Sequence, residues 1–209
     1  MIVAFDVEGV LVDGEFLPEV AKLVGKEEIV RQITLQGIRG EINWEEGLRR
    51  RVEELKGVDE TLCVQVAQSL PFMPGAKQAL EELRQMGCTL VGVSGGFSLL
   101  GQRVKKELKL DHIFTNELVF HKGRLIGYAL LVNANKTLIL KSAFGELLEK
   151  EPVVAVVDGA NDLELFTIAD LKIAFNAQEI VKRKADVVIE KKDLTLVSKI
   201  IREWIGKSA

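Results

Sequence analysis

Asp6 and Glu8 stand two residues apart, with apolar Val7 between them, where the apolar run Ile2–Phe5 ends. If extended geometry persists past that run, both carboxylates point to one side and Val7 to the other. A carboxylate can attack phosphorus and carry the phosphoryl group as an aspartyl-phosphate. A second acid beside it can protonate the leaving oxygen and later deprotonate the attacking water, provided its pKa lies near the working pH. An anionic nucleophile approaching an anionic phosphate needs positive charge. Asp158 and Asp162, after the apolar run Val153–Val157, have the oxygen-ligand arrangement that suits Mg²⁺. Ser94, Gly95 and Gly96 follow a further run, and a hydroxyl with backbone N–H groups before a helix can cradle phosphate oxygens. Each cluster alone also reads as a helix cap, a turn or a strand-to-helix loop.

What joins the clusters is position, because the carboxyl ends of neighbouring strands in an open parallel sheet share one edge where ligands bind. The pattern supplies such strands. After Pro71 and Pro74, helix and strand alternate: a helix over 77–85, a strand over 89–93 and a helix from about 99 to 108. The rhythm resumes with a helix near 137–150, a strand over 153–157, a helix over 163–168, strands over 172–175 and 187–189, and a final helix from about 194 to 205. Leu118–Phe120 and Leu125–Leu131, split by His121, Lys122 and Gly123, predict a hairpin outside the repeating units, placed as a flap over the site. From about Phe16 to Ser69 the periodicity is helical, with Val20, Leu23 and Val24 on one face and then Leu48, Val52 and Leu55. The expected fold is a doubly wound parallel α/β core over 1–12 and 75–209, with a small helical cap over 13–74 inserted after the first strand through hinges near Asp13 and Pro71.

Composition narrows the function. A chain of 209 residues, 47% hydrophobic, can bury a sizeable core. The formal net charge of −3, from 28 basic and 31 acidic residues, offers no field for gathering nucleic acid. The apolar runs are strand-sized and the first residues lack a signal-peptide layout, so no membrane partner is expected. Cys63 and Cys88 suggest neither a disulfide framework nor a zinc site, and a reducing cytoplasm fits best. His112 and His121 lack metal-ligand spacing and are read as surface loop residues. A small-molecule substrate is the expectation; oligomeric state is left open between monomer and homodimer.

In order and spacing, these clusters resemble the haloacid dehalogenase-like hydrolase superfamily. Over nearly the full length the chain is most similar to the phosphoserine phosphatase-like branch, through FDVEGVLVDGE, INWEEGLRRRVEEL, VSGGFS, NANK, VVDGAND, LKIAFNA and KADVVIEKKDL. The resemblance implies Asp6 as nucleophile, Glu8 as general acid/base, and Mg²⁺ held by Asp6, the Glu8 carbonyl and Asp158 with support from Asp162. It implies phosphate contacts from Ser94, Gly95 and a lysine that falls on Lys136, with Lys141 in reserve. It also implies recognition of the amino acid part of L-phosphoserine by Glu15 and Arg51 in the cap, where Glu15 could meet an ammonium and Arg51 grip a carboxylate. Each also has a plainer reading, Glu15 as a solvated loop acid and Arg51 as part of a basic helix face. Trp44 reads equally as a wall against water and as a core anchor.

The chain departs from the family pattern in having Glu8, Gly9 and Val10 where aspartate and small hydroxyl residues are usual, and Val157 where glycine is common. Glutamate reaches about 1.5 Å further than aspartate, so the acid must retract or the substrate must sit differently. An Asp-x-Glu-Gly start also resembles a branch that transfers phosphate to homoserine, which keeps transfer to a small alcohol open beside hydrolysis. A receiver-like module holding phosphate on aspartate is the non-enzymatic alternative, and a lid over the site counts against it.

Overall fold

The computed structural model describes residues 1–38, 41–133 and 135–208. Ala134 of the Asn-Ala-Asn-Lys run and Ala209, the last residue of the expected core, lie outside the described residues. Seven strands form one sheet: β1 Ile2–Phe5, β2 Thr89–Phe97, β3 His112–His121, β4 Arg124–Ala129, β5 Val153–Val157, β6 Leu171–Phe175 and β7 Val187–Ile189, in the order β4-β3-β2-β1-β5-β6-β7. All neighbours are parallel except β3 and β4. This is a mixed α/β fold with a parallel-dominated sheet, and β1 lies at its centre between β2 and β5.

Centrality explains why β1 is apolar throughout. Val3 and Phe5 enter the core on one face, and Ile2 and Ala4 enter the core on the other. On the first face lie α5 (Ala76–Gln85), α6 (Ser98–Leu108) and α10 (Thr195–Ser208). On the second lie α7 (Lys136–Phe144) and a 3₁₀ helix, Ala160–Thr167. Between β1 and β2 the chain forms α1 (Phe16–Leu23), α2 (Glu27–Ile38), α3 (Trp44–Glu54) and α4 (Glu60–Ser69). Asn43 and Asp59 cap α3 and α4 through their side chains. The segments leading into and out of these helices lie side by side, with Asp13 N–H donating to Pro71 and Met73 N–H to Leu11. No helix of the described residues is long and apolar enough to cross a membrane.

Four sequence readings are corrected. The hairpin is part of the sheet: β3 pairs parallel with β2 through its first half and antiparallel with β4 through its second, so it forms the sheet edge. Its turn docks instead on the α3–α4 connection, where Glu60 N–H donates to Gly123 and Gly57 N–H to Leu125. His112 and His121 are therefore strand residues, both exposed, and His112 packs edge-on against Phe144 at 5.2 Å. Ser94, Gly95 and Gly96 belong to β2, which runs on to Phe97 with a register shift after Val93. The long helix near 137–150 is two pieces, because Gly145 takes a positive φ of 49° and starts α8 (Leu147–Lys150) in a new direction. A further short helix, α9 (Glu179–Lys182), precedes β7.

Candidate active site

The carboxyl ends of β1, β2 and β5 meet on one edge of the sheet, and α1, α2 and α3 stand over it. Between them lies a cavity of about 540 Å³ whose wall includes Asp6, Glu8, Glu15, Arg51, Ser94, Gly95, Lys136 and Asp158. Asp162 lies behind the wall, fully buried. All nine candidate residues are therefore gathered in or beside one site.

Lys136 organises its floor. The first residue of α7, it is 2% exposed and places Nζ 2.7 Å from Asp6 Oδ1 and 2.5 Å from Asp162 Oδ1. Burial alone would lower its pKa, but the Asp162 and Asp6 carboxylates outweigh burial and raise it, so it stays an ammonium. Lys141 is exposed on the same helix, which leaves Lys136 as the lysine of this site.

Asp6, Asp158 and Asp162 each present a carboxylate oxygen, and these oxygens lie within 4.8 Å of one another. One lysine does not neutralise three clustered acids, two of them buried and Asp158 half-buried. Burial first, then Asp6 and Asp162, push the Asp158 carboxyl up to about 9; burial and then Asp6 push Asp162 up to about 7. Asp162 Oδ2 has no hydrogen-bond partner although it is buried. Hard oxygen donors, surplus negative charge and an orphaned acceptor are the chemistry of a metal site. Gly9 makes room for this cluster, since at its φ of 85° an added Cβ would collide with the Asp158 carboxylate. That collision accounts for glycine directly after Glu8.

Glu8 retracts in the way its length demands. Oε2 accepts the Phe16 N–H at 2.7 Å, the first free amide of α1, and Oε1 fills the space where a side chain at position 96 would begin. Burial first, then Glu15, push its carboxyl up to about 8, against the lowering effect of the Phe16 amide. Glu15, exposed to the cavity, is also raised, by burial and then by Asp6. Arg51 faces the same space from α3. Its Nε donates to the Gly47 carbonyl at 3.2 Å, and burial lowers its pKa against the pull of Glu15 and Glu8. Trp44, one end of α3, lies over Gly95 so closely that an added Cβ there would strike the indole, while its other side packs on the main core. It is at once wall and anchor.

At the end of β2, Ser94 is buried and its Oγ accepts the Gly96 N–H at 2.9 Å. Sequence reasoning missed the residue beneath it. Asn116 is fully buried, donates from Nδ2 to the Gly95 carbonyl at 2.9 Å, and accepts the Leu131 and Val132 amides at 2.7 and 2.8 Å. A lone asparagine between threonine and glutamate carries no spacing signal; only the pairing of β2 with β3 brings it to the site.

Comparison with known proteins agrees with this arrangement. Residues 1–170 match the family model of haloacid dehalogenase-like hydrolase. The phosphoserine phosphatase of Methanocaldococcus jannaschii is 37% identical, over 96% of this chain and 97% of its own, and that of Wolinella succinogenes is 33% identical over 92% and 96%. Among solved structures, a phospho-aspartyl intermediate analogue of phosphoserine phosphatase and a substrate-bound phosphoserine phosphatase complex each superpose with a TM-score of 0.87 at 35% identity, covering 95% of this chain and 97% of theirs. The matched span includes the strand ends carrying Asp6, Ser94 and Asp158 together with Lys136, so the chain belongs to the haloacid dehalogenase-like hydrolases.

Proposed function

We propose that this protein is a Mg²⁺-dependent phosphatase that hydrolyses L-phosphoserine through an aspartyl-phosphate on Asp6. The observation that carries the reading is the Asp6–Lys136–Asp162 ion pairing beside Asp158, at the floor of a cavity that also presents Glu15 and Arg51. Asp6, Asp158 and the Glu8 backbone carbonyl would hold Mg²⁺, with Asp162 in support. The ion, when bound, supplies the positive charge that offsets the phosphate and the attacking carboxylate.

The chain's own groups divide the remaining work. Arg51 receives the substrate carboxylate and Glu15 its ammonium, which sets the phosphoryl group at the Ser94–Gly95 edge. Lys136 holds the Asp6 carboxylate and shares the charge of the transferring phosphoryl oxygens. Asp6 attacks phosphorus and the bond to the serine oxygen breaks. Glu8, raised to about 8 and so protonated near neutral pH, gives its proton to that oxygen. Serine leaves. Glu8, now a carboxylate, takes a proton from a water that attacks the aspartyl-phosphate, and phosphate departs with Asp6 restored. Trp44, Leu17 and Ile33 in the cavity wall limit the entry of further water.

The test is phosphate release from L-phosphoserine, with and without Mg²⁺, by the native protein and by Asp6→Asn. The expected result is Mg²⁺-dependent turnover that the substitution abolishes in a folded protein. Turnover surviving Asp6→Asn would sink the mechanism. Phosphate appearing on added homoserine, with none in water, would make the protein a phosphotransferase.

A further inference from the structure

The Gly95–Gly96 peptide sits between two glycines, so little in its own chain keeps it from flipping. It is nonetheless held on both sides: its carbonyl accepts from Asn116 Nδ2, and its N–H donates to Ser94 Oγ. The two bonds run in series through one planar unit, each polarising the other. With one of its two lone pairs engaged by the Gly96 N–H, the Ser94 hydroxyl keeps its proton to donate into the cavity that it lines. The same asparagine, through Oδ1, binds the Leu131 and Val132 amides four to five residues before Lys136. It thus joins the two backbone segments that carry Ser94 and Lys136.

The reason an asparagine sits there lies in the sheet. The ladder between β2 and β3 slips after Val93 and resumes at Phe97 opposite Asn116, and immediately beyond it β3 exchanges β2 for β4. At such a discontinuity backbone groups lose their strand partners and need others. The surroundings offer one carbonyl and two amides, which only a side chain with both donor and acceptor can satisfy.

We infer that Asn116 is a positioning residue for phosphate binding and transfer, acting through the Gly95–Gly96 peptide on Ser94 and through the 131–132 segment on the approach to Lys136. The inference rests on the phosphatase reading for its catalytic part, and on the cradle geometry alone for its binding part.

Asn116→Asp keeps the acceptor for Leu131 and Val132 but turns an oxygen toward the Gly95 carbonyl; Asn116→Ser removes the reach without adding charge. Calorimetric titration with orthophosphate in the presence of Mg²⁺ is expected to give a Kd at least about 10-fold above the native value for both folded variants, the scale of one lost charge-assisted contact. kcat/KM should fall by a common factor on phosphoserine and on p-nitrophenyl phosphate, since Glu15 and Arg51 are untouched. Ser198→Ala, at a buried hydroxyl bonded to Glu82 far along the chain, serves as the stability control and should leave both readouts alone. A phosphate Kd within twofold of native in either folded variant would overturn the inference, as would an equal weakening in the control. A native protein that binds phosphate but hydrolyses neither ester would refute the phosphatase reading instead, and the calorimetric comparison would still decide the role of Asn116.

Discussion

Glu8 and Gly96 must be considered as one unit. The glutamate is one methylene longer than the aspartate usual in this family, and the extra length is taken up by folding Oε2 back to the Phe16 amide and Oε1 into the volume a Cβ at 96 would claim. Gly96→Ala is therefore expected to displace the Glu8 carboxyl and, with Glu8 as the proposed acid/base, to lower kcat by about 10- to 100-fold, within the range general acid–base catalysis contributes. Glu8→Asp shortens the group and should tolerate Gly96→Ala better than the native protein does. Measured kcat values in a double-mutant cycle test this: simple multiplication of the two single effects would show that the residues do not share the space. At this scale the sequence was informative where a residue type announced its chemistry, as with Asp6, Glu8 and the acids at 158 and 162. It was silent where the role depends on shape, because nothing in the letters Glu8-Gly9 says that Asp158 occupies the volume above Gly9.

Helix α3 brings Trp44, Leu48 and Arg51 to the cavity because positions three and four apart share a helix face, and Asn43 fixes where that face begins by capping the Glu46 amide at 2.8 Å. Arg51 lines the cavity from this face, and in the proposed function it takes the substrate carboxylate without touching the reacting phosphorus. Arg51→Ala is expected to lower kcat/KM for phosphoserine by about 100-fold, the value of a partly desolvated charged hydrogen bond, and to change that for p-nitrophenyl phosphate by less than about fivefold. Parallel kinetics on the two esters check it; equal losses would remove Arg51 from substrate recognition. α5, α6, α10 and the central strands were legible because the helices carry a regular apolar stripe and the strands an unbroken apolar run, whereas the break at Gly145 and the four-residue α9 are too short to leave a period. The end of β2 was not legible, since Ser94-Gly95-Gly96 has the composition of a loop and lies where the ladder with β3 is broken between Val93 and Phe97, held there by the Asn116 side chain. β3 was cut short for a related reason: Thr115-Asn116-Glu117 interrupts its apolar character at the point where the strand changes partners.

The whole molecule carries an electrostatic load at one end of its sheet. Asp158, Glu8 and Asp162 are raised from ordinary values of 3.8, 4.5 and 3.8 to about 9, 8 and 7, in each case chiefly by burial. The folded state therefore holds protons that the unfolded chain has released between about pH 4 and 9, and stability contributed by these groups is present at low pH and lost as pH rises through the folded values. Without divalent cations, the melting temperature is expected to decline from pH 5.5 to pH 8.5. Mg²⁺ competes with those protons, so the stabilisation it gives should grow over the same interval, because a cation binding the folded state must first displace what the acids retain. Replacing the acid that the fold must keep protonated should remove its cost: Asp158→Asn, free of metal at pH 8.5, is expected to melt on the order of 5 °C above the native protein, because the variant's unfolded state no longer gains an ionised carboxylate there, and to gain little from Mg²⁺. Thermal scans of both proteins at the two pH values, with the cation or with a chelator, decide the matter. A native Mg²⁺ shift that is equal at both pH values, or larger at pH 5.5, would mean that the acids are not titrating in the fold and that the cation binds elsewhere.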